Sequence, residues 1–157
     1  MARQYRDYLS EFNTWEQKPH AKKWLIFPEN IGPYLSIDET ALSRGELYTI
    51  ITNKSAKGKK GSIVAIFAGT KIEPIVEELL KISLEKRVKV KEITLDMANS
   101  MKIFAKKCLP KAIQVTDRFH VQKLAIEALQ DIRIKHRWDA IDLENEQIKQ
   151  ARLTNTT

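Results

Sequence analysis

The amino-acid sequence predicts an α/β domain in which a mixed sheet is followed by a long C-terminal helix. Three strand-like runs follow one another between residues 34 and 67. Helix-like and strand-like runs then alternate up to residue 116, and apolar residues recur at helical spacing from Phe119 to about Ala140. At 157 residues the chain is long enough for one domain with a buried core.

The first 30 residues are predicted to form a lead-in that packs against the main domain. A short polar helix over residues 3–12 would place Tyr5, Leu9 and Phe12 on one side. The apolar residues after this helix are broken by charges and then by Pro28, which is typical of a segment outside the main sheet; they are Trp15, Trp24, Leu25, Ile26 and Phe27.

Three strands open the main domain. They are predicted over residues 34–38, 46–52 and 62–67, where β-branched and aromatic residues dominate. The short turns between them favour an antiparallel meander. The second turn contains no acid and four lysines: Lys54, Lys57, Lys59 and Lys60.

The remaining elements alternate. In chain order they are a helix over 72–82, a strand over 88–95, a helix over 97–108, a strand over 113–116 and a helix over 119–140. Right-handed crossovers would make the strand over 88–95 parallel to the strand over 34–38. The predicted order, β-β-β-α-β-α-β-α in a mixed sheet, is that of the RNase H-like fold.

The domain organisation follows from these elements. The lead-in covers residues 1–30 and the partial RNase H-like domain covers residues 31–142. Residues 143–157 are predicted to be a polar tail, helical but poorly anchored to about Arg152 and disordered from Thr154 onward.

Net charge, the numbers of cysteines and histidines, and the lengths of the apolar runs limit which kinds of site and partner fit this sequence. The net charge of +7 is consistent with a polyanionic partner, DNA or RNA, although many basic domains have no such role. The single cysteine, Cys108, rules out an internal disulfide, and the three scattered histidines rule out a zinc site of the usual Cys/His spacing. Without a signal-like or membrane-length apolar run, the expected setting is cytoplasmic with no membrane partner.

Three aspartates are the candidate functional residues, because Asp38, Asp96 and Asp117 each end a strand-like run. Carboxylates from neighbouring strands can converge on divalent metals, as in nucleases and DNA strand-transfer enzymes. Each has a plain alternative. Asp38 can belong to an Asp-Glu-Thr turn, and Asp96 can be the N-cap of the helix that starts near Met97. Asp117, with His120 three residues later, can cap the long helix.

The lysine turn is open to two readings of equal weight. Lys54, Lys57, Lys59 and Lys60 can contact the phosphate backbone of DNA, or they can form a solvated hairpin tip.

Three blocks carry a family resemblance: Leu35-Ser36-Ile37-Asp38-Glu39-Thr40, the run from Val90 to Met97, and the run from Leu109 to Val121 with Asp-Arg-Phe-His-Val. They resemble DDE-type bacterial insertion-sequence transposases, and most closely the ISL-type group with this last signature. The resemblance covers about residues 30–150.

The resemblance implies an RNase H-like domain that cuts and joins DNA with Mg²⁺ or Mn²⁺. It makes Asp38 and Asp96 catalytic metal ligands, and Asp117 and His120 a supporting signature. The family's third acid is a glutamate well downstream, which has no counterpart here. The chain is therefore expected to be a C-terminally truncated transposase that is inactive alone. Its expected partners are DNA and an intact transposase or a separate DNA-binding polypeptide.

Two other functions stay open. A small metal-dependent nuclease of resolvase type would need a further acid on the final helix, for which Glu127, Glu144 and Glu146 are available. A non-catalytic module would bind DNA or an intact transposase without using Asp38. Since the long helix would lie near the family's insertion, Ile134, Trp138 and Ile141 are expected to form an exposed apolar patch that promotes self-association.

Overall fold

A computed structural model describes residues 4–41 and 45–154 of the chain, and it has the mixed α/β architecture that the sequence predicts. The strands are β1 (Trp24–Ile26), β2 (Tyr34–Ala41), β3 (Leu47–Asn53), β4 (Ile63–Ala68), β5 (Glu92–Leu95) and β6 (Ile113–Thr116). The helices are α1 (Ile72–Leu80), α2 (Leu84–Arg87), α3 (Asn99–Cys108) and α4 (Arg118–Thr154). Short 3₁₀ and π turns occupy Tyr5–Leu9, Glu11–Asn13, Pro28–Asn30 and Lys54–Ala56.

The six strands form one mixed sheet in the order β1-β4-β3-β2-β5-β6. β2, β3 and β4 are antiparallel neighbours, which confirms the predicted meander. β5 pairs in parallel with β2 and β6 in parallel with β5, as the crossover rule predicts. The central position of β2 places the strand that carries Asp38 next to the strand that precedes Asp96.

The core lies between one face of the sheet and the helices α1 and α3. Alternate strand residues such as Leu35, Ile37 and Ile93 point into it. Helix residues at three- and four-residue spacing complete it. They are Ile75, Leu79, Met101, Phe104, Ala105 and Cys108. The observed helices therefore bury the faces that their apolar spacing predicts.

β1 was not predicted, and it lengthens the sheet beyond the expected meander. Trp24, Leu25 and Ile26 pair antiparallel with β4. On the other side of β1, the side chain of Gln17 accepts a hydrogen bond from the Ile26 N–H at 2.7 Å and donates to the Ile26 carbonyl at 2.8 Å. The lead-in thus closes this edge of the sheet with a side-chain amide.

β2 is longer than the predicted strand over residues 34–38. It continues to Ala41, and Asp38, Glu39 and Thr40 pair with residues of β3. The expectation that Asp38 ends a strand is therefore wrong, and so is the alternative that it lies in an Asp-Glu-Thr turn. The partner strand β3 provides ladder hydrogen bonds that hold these residues extended.

The strand predicted over residues 88–95 is shorter than expected, because β5 spans only Glu92–Leu95. The chain before it forms the short helix α2, which was not predicted. Arg87 is buried there, and its guanidinium donates to the carbonyls of Ile82 and Cys108. These bonds fix a helical turn where the alternation of Val88 and Val90 had indicated a strand.

α4 is a single helix of 37 residues, longer than the predicted 119–140. Its described side chains are exposed except for His120 and Ile141, which are half-buried. By packing, the chain divides into one unit that ends at Asp117 and a second that begins at Arg118. The disorder predicted from Thr154 onward falls on residues 155–157, outside the described residues, while Thr154 itself closes the helix. None of the helices in residues 4–41 and 45–154 has the length and apolar content to span a bilayer.

Candidate metal and DNA site

The three candidate aspartates follow the same register across three neighbouring parallel strands. β2 and β5 pair Ser36 with Thr94, so two further residues along each strand lead to Asp38 and Asp96. β5 and β6 pair Leu95 with Thr116, and the next residues are Asp96 and Asp117. We call Asp38, Asp96 and Asp117 the acid row. Asp38 and Asp96 follow the buried residues Ile37 and Leu95, so strand alternation assigns them to the sheet face opposite the core, and the β5–β6 register assigns Asp117 to the same face.

The backbone around Asp96 does not form the helix cap that the sequence favoured. α3 begins at Asn99, and its N-cap position is Ala98, with no side-chain capping bond. The Asp96 carboxylate instead accepts a hydrogen bond from the Met97 N–H at 2.5 Å. The N-cap alternative for Asp96 is therefore wrong, because two residues separate its strand end from the helix.

Asp38 is held in a similar local way. Its carboxylate accepts a hydrogen bond from the Glu39 N–H at 2.9 Å. As a residue of β2 it is exposed, and its backbone is opposite Ile50 of β3. Its pairing with β3 therefore holds the backbone of Asp38 extended.

Asp117 and His120 are placed on either side of the start of α4. The Asp117 N–H donates to the Leu95 carbonyl at 2.9 Å, which continues the β5–β6 ladder by one residue. His120 lies in the first turn of α4, where its ring meets the Phe119 ring edge-on at 5.9 Å. Asp117 precedes the helix directly, as a capping residue or a site residue would.

Glu39 is the one acid near the candidate aspartates that the sequence did not single out. Partial burial raises the pKa of its carboxyl, and the charges of Asp96 and then Asp38 raise it further. The carboxylates of Asp38 and Asp96 thus act on the same neighbouring group, so negative charge accumulates at this part of the sheet. The sequence signal was only its position beside Asp38, because strand alternation assigns Glu39 to the other face.

The lysine turn follows the last residue of β3, whereas Asp38 lies opposite the middle of that strand. Asn53, which precedes the turn, pairs with Leu35, whereas Ile50 pairs with Asp38. The three-residue difference corresponds to about 10 Å along the strand. Lys57, Lys59 and Lys60 are exposed, with Lys57 in the left-handed region at φ 51°.

Lys54 differs from the other three lysines of the turn. Its ammonium donates to the Thr94 hydroxyl at 2.8 Å and lies 3.7 Å from the Glu92 carboxylate. Both partners are on β5, so Lys54 ties the turn to the sheet. Lys57, Lys59 and Lys60 are the members of the turn that present charge to solvent.

No cluster of three or more Asp, Glu, His or Cys side chains with metal-binding geometry occurs in the described residues. The β2–β5 register brings the positions of Asp38 and Asp96 to neighbouring strands. Asp117 continues the row without completing such a cluster.

Comparison with known proteins identifies the family. The model of the ISL3-type DDE transposase family, described as Transposase, matches residues 35–157, which is most of the chain. A search of curated proteins gave no match. The matched region includes β2 to β6, α4 and the whole acid row. The chain therefore belongs to the ISL3-type DDE transposase family.

Proposed function

We propose that this chain contributes Asp38 and Asp96, as ligands of Mg²⁺ or Mn²⁺, to the metal-dependent chemistry by which a transposase cuts and joins DNA. The observation that carries the proposal is the shared register of β2 and β5, which leads to both aspartates. It is supported by the strand arrangement, since three antiparallel strands followed by two parallel ones is the RNase H-like pattern.

The donor set fits a hard divalent cation. Carboxylate oxygens are the ligands that Mg²⁺ and Mn²⁺ prefer. The raised pKa of Glu39, which Asp96 and Asp38 increase, indicates negative charge that a cation would offset. When bound, such a cation activates the attacking water or 3′-hydroxyl and neutralises charge on the leaving oxygen. The chain itself contributes two carboxylates fixed on adjacent strands of one sheet.

We further propose that this chain alone does not cleave DNA at a useful rate. Two-metal chemistry needs enough carboxylates to hold both cations. In the part of the chain that the structure describes, no three-residue metal cluster forms. An intact transposase or a separate polypeptide would then have to supply the further acid.

The first experiment measures metal binding directly, without requiring activity. Titration with Mn²⁺ should broaden the NMR amide signals of β2 and β5 first. Asp38→Asn or Asp96→Asn should weaken Mn²⁺ binding about tenfold or more, because each removes one of two charged donors. The control Asp131→Asn removes an exposed acid from α4 and should leave the affinity unchanged. Equal affinity in all four proteins would reject the metal site.

The second experiment measures nicking of supercoiled DNA with Mg²⁺ or Mn²⁺. We expect no more nicking than in the absence of protein. Robust nicking that Asp38→Asn abolishes would contradict the proposed inactivity but support the site. Nicking that instead depends on Glu127, Glu144 or Glu146 would favour the resolvase-type nuclease.

A non-catalytic DNA-binding or transposase-binding module is the second candidate. The incomplete metal cluster favours it. It predicts that Asp38→Asn binds DNA and the intact transposase as the unsubstituted chain does. Lack of Mn²⁺ affinity together with unchanged DNA binding would select this function over the first.

A further inference from the structure

We propose that the second half of α4 docks against the same segment of a second copy of this chain, and that the two helices pair in parallel as a short coiled coil. Apolar side chains recur there at alternating spacings of four and three residues, with one asparagine among them. They are Ile134, Trp138, Ile141, Asn145 and Ile148. This heptad spacing keeps one stripe of a helix facing a partner helix. We call these five residues the heptad stripe.

The apolar side chains of the heptad stripe are not covered within the described chain. Ile134 is 44% exposed, Trp138 is 60% exposed and Ile148 is 43% exposed. Ile141 is half-buried. In a parallel coiled coil each stripe residue packs beside the same residue of the partner, so a second copy would cover all four. Pairing would also give α4 the tertiary packing from which helices gain most of their stability.

The charged residues that flank the heptad stripe fit a second copy. Arg137 and Glu144 lie along one edge of the stripe, and Asp142 and Lys149 lie along the other. In a parallel coiled coil the residues of the first edge form ion pairs with residues of the partner's second edge. Arg137 then faces Asp142 of the second copy, and Glu144 faces Lys149 of the second copy. Each pair occurs twice, so every charged contact between these edges joins opposite charges.

These four charged side chains can make the contacts without breaking others. All four are exposed, and within the described residues none of them forms an ion pair or a side-chain hydrogen bond. The ion pair between Lys123 and Glu127 lies in the first half of α4, before the heptad stripe. The charge match between two copies therefore has no competing partner on the helix itself.

Asn145 selects the parallel orientation. An antiparallel pair could also match opposite charges, because Arg137 would then face Glu144 of the second copy. That arrangement places Asn145 against Ile134 of the second copy, where its amide would be buried without a partner. In the parallel arrangement the two Asn145 side chains face each other and can hydrogen-bond. A single asparagine at such a position is known to fix the register of a coiled coil.

The length of the heptad stripe limits the strength of the dimer. The stripe spans about two heptads, whereas a coiled coil usually extends over three or four. Asp131, three residues before Ile134, ends the interface on that side, because two copies would bring like charges together. We therefore expect a reversible dimer whose population rises with concentration.

A symmetric cross-link tests the parallel register. Ile148→Cys should form a covalent dimer under mild oxidation, because the two copies of this position lie side by side only in a parallel pair. The native thiol, Cys108, is buried and does not compete. The matched control is Gln147→Cys, which places an exposed thiol one residue earlier and outside the stripe. Cross-linking of Ile148→Cys no faster than this control would overturn the proposal.

Charge reversal gives an independent test by sedimentation velocity over a concentration series. Glu144→Lys should weaken self-association about fivefold, because it places two like-charged pairs across the interface. Glu144→Lys/Lys149→Glu should restore it, since both members of each pair are reversed. An antiparallel dimer would not be restored, because there Glu144 faces Arg137. A double variant as weak as the single one, or an unsubstituted chain that stays monomeric at every concentration, would overturn the proposal.

A last pair of variants separates the heptad stripe from general apolar attraction. Trp138→Gln should reduce self-association about tenfold or more, because it removes two large apolar side chains from the interface. Leu143→Gln changes a residue that is 61% exposed on the opposite side of α4, and it should have little effect. Equal losses in the two variants would show that association does not use the stripe and would reject the coiled coil.

Discussion

Among the described residues, Arg87 is the charged residue that the sheet unit buries. Its Nε donates to the Ile82 carbonyl at 2.9 Å and its Nη1 to the Cys108 carbonyl at 2.8 Å. Cys108 is the last residue of α3, so the guanidinium satisfies a carbonyl that the helix leaves unpaired. A positive charge at a helix C-terminus is also favourable. One side chain thus links the loop after α1, the short helix α2 and the end of α3.

Replacing Arg87 by methionine should destabilise the fold while preserving the packing of its aliphatic stem. Two buried carbonyls lose their donor, so we expect a loss of about 2–4 kcal/mol in the free energy of unfolding. Urea denaturation followed by circular dichroism measures it. The neighbouring exposed residue gives the control, and Lys86→Met should change stability by less than about 0.5 kcal/mol. Equal effects of the two substitutions would contradict the structural role of Arg87.

Cys108 should be inert in the folded chain. Burial raises the pKa of its thiol to about 11, against smaller opposing effects of Arg87 and Lys107. Since the pKa of the thiol in the folded chain exceeds its ordinary value of about 9.0, the stability from this group is complete below pH 9 and is lost as the pH rises through about 11.

Alkylation with iodoacetamide tests this directly. Between pH 7 and 9 the native chain should react about a hundredfold or more slowly than the chain in urea, because reaction requires local opening. Arg87→Met should speed the native reaction by loosening the end of α3. Comparable rates in native and unfolded chains would show that the thiol is accessible.

At the scale of elements, the lysine turn combines two roles in one short segment. Lys54 attaches the turn to Thr94 and Glu92 of β5, whereas Lys57, Lys59 and Lys60 remain exposed. A fixed loop that presents three cations is suited to a phosphate backbone. Its separation from Asp38 by about 10 Å along β3 means that a duplex touching both would run along the strands.

The salt dependence of DNA binding tests whether the exposed lysines of the turn contact phosphates. Each phosphate contact contributes about 0.9 to the slope of log K against log salt concentration. Lys57→Gln/Lys59→Gln should lower that slope by about 2 and weaken binding to any sequence. The control Lys89→Gln removes an exposed lysine elsewhere and should leave the slope unchanged. An unchanged slope in the double variant would identify the turn as a solvated hairpin tip.

The sequence predicted an element correctly where turn lengths or connections decide it. It missed an element where contacts with distant residues decide it. The meander and the parallel pairing of β2 with β5 follow from turn lengths and crossover handedness, and both were predicted correctly. β1 was missed because its three residues form a strand only by pairing with β4, which is distant in sequence. Its other edge is bonded to Gln17, which lies outside any strand pattern. Val88 and Val90 alternate like strand residues, but the bonds of Arg87 determine the local backbone.

At the candidate site, too, some features were predicted correctly and others were not. Crossover handedness predicted that the strands of Asp38 and Asp96 would be parallel neighbours, and the β2–β5 pairing agrees, although Asp38 lies within β2 and not at its end. The cap expected at Asp96 was wrong, since helix starts depend on backbone geometry that Ala98 adopts without a side-chain bond. Glu39 could not have been singled out, because its raised pKa depends on partial burial and on Asp96, 57 positions away.

At the scale of the whole molecule, the two units differ in how their residues are buried. The sheet unit contains every buried apolar residue of the described chain. α4, about 55 Å long, buries none. Its apolar residues also change face along the helix, from the stripe of Val121, Ala128 and Ile132 to that of Ile134 and Trp138. Helices gain most of their stability by packing one continuous apolar face, which α4 does not do among the described residues.

Amide hydrogen exchange should therefore divide the chain at about Asp117. We expect the amides of α4 to exchange about a thousandfold faster than those of β2, β3 and β5, because opening the helix exposes no buried core. Ala128→Gly should lower the helical circular dichroism signal and speed exchange throughout α4, since glycine costs about 1 kcal/mol in a helix. It should leave protection of the strands unchanged. The matched control Ala105→Gly lies in buried α3 and should reduce protection of the strands instead. Strand-like protection of α4 in a dilute sample would mean that its exposed apolar residues are covered in solution.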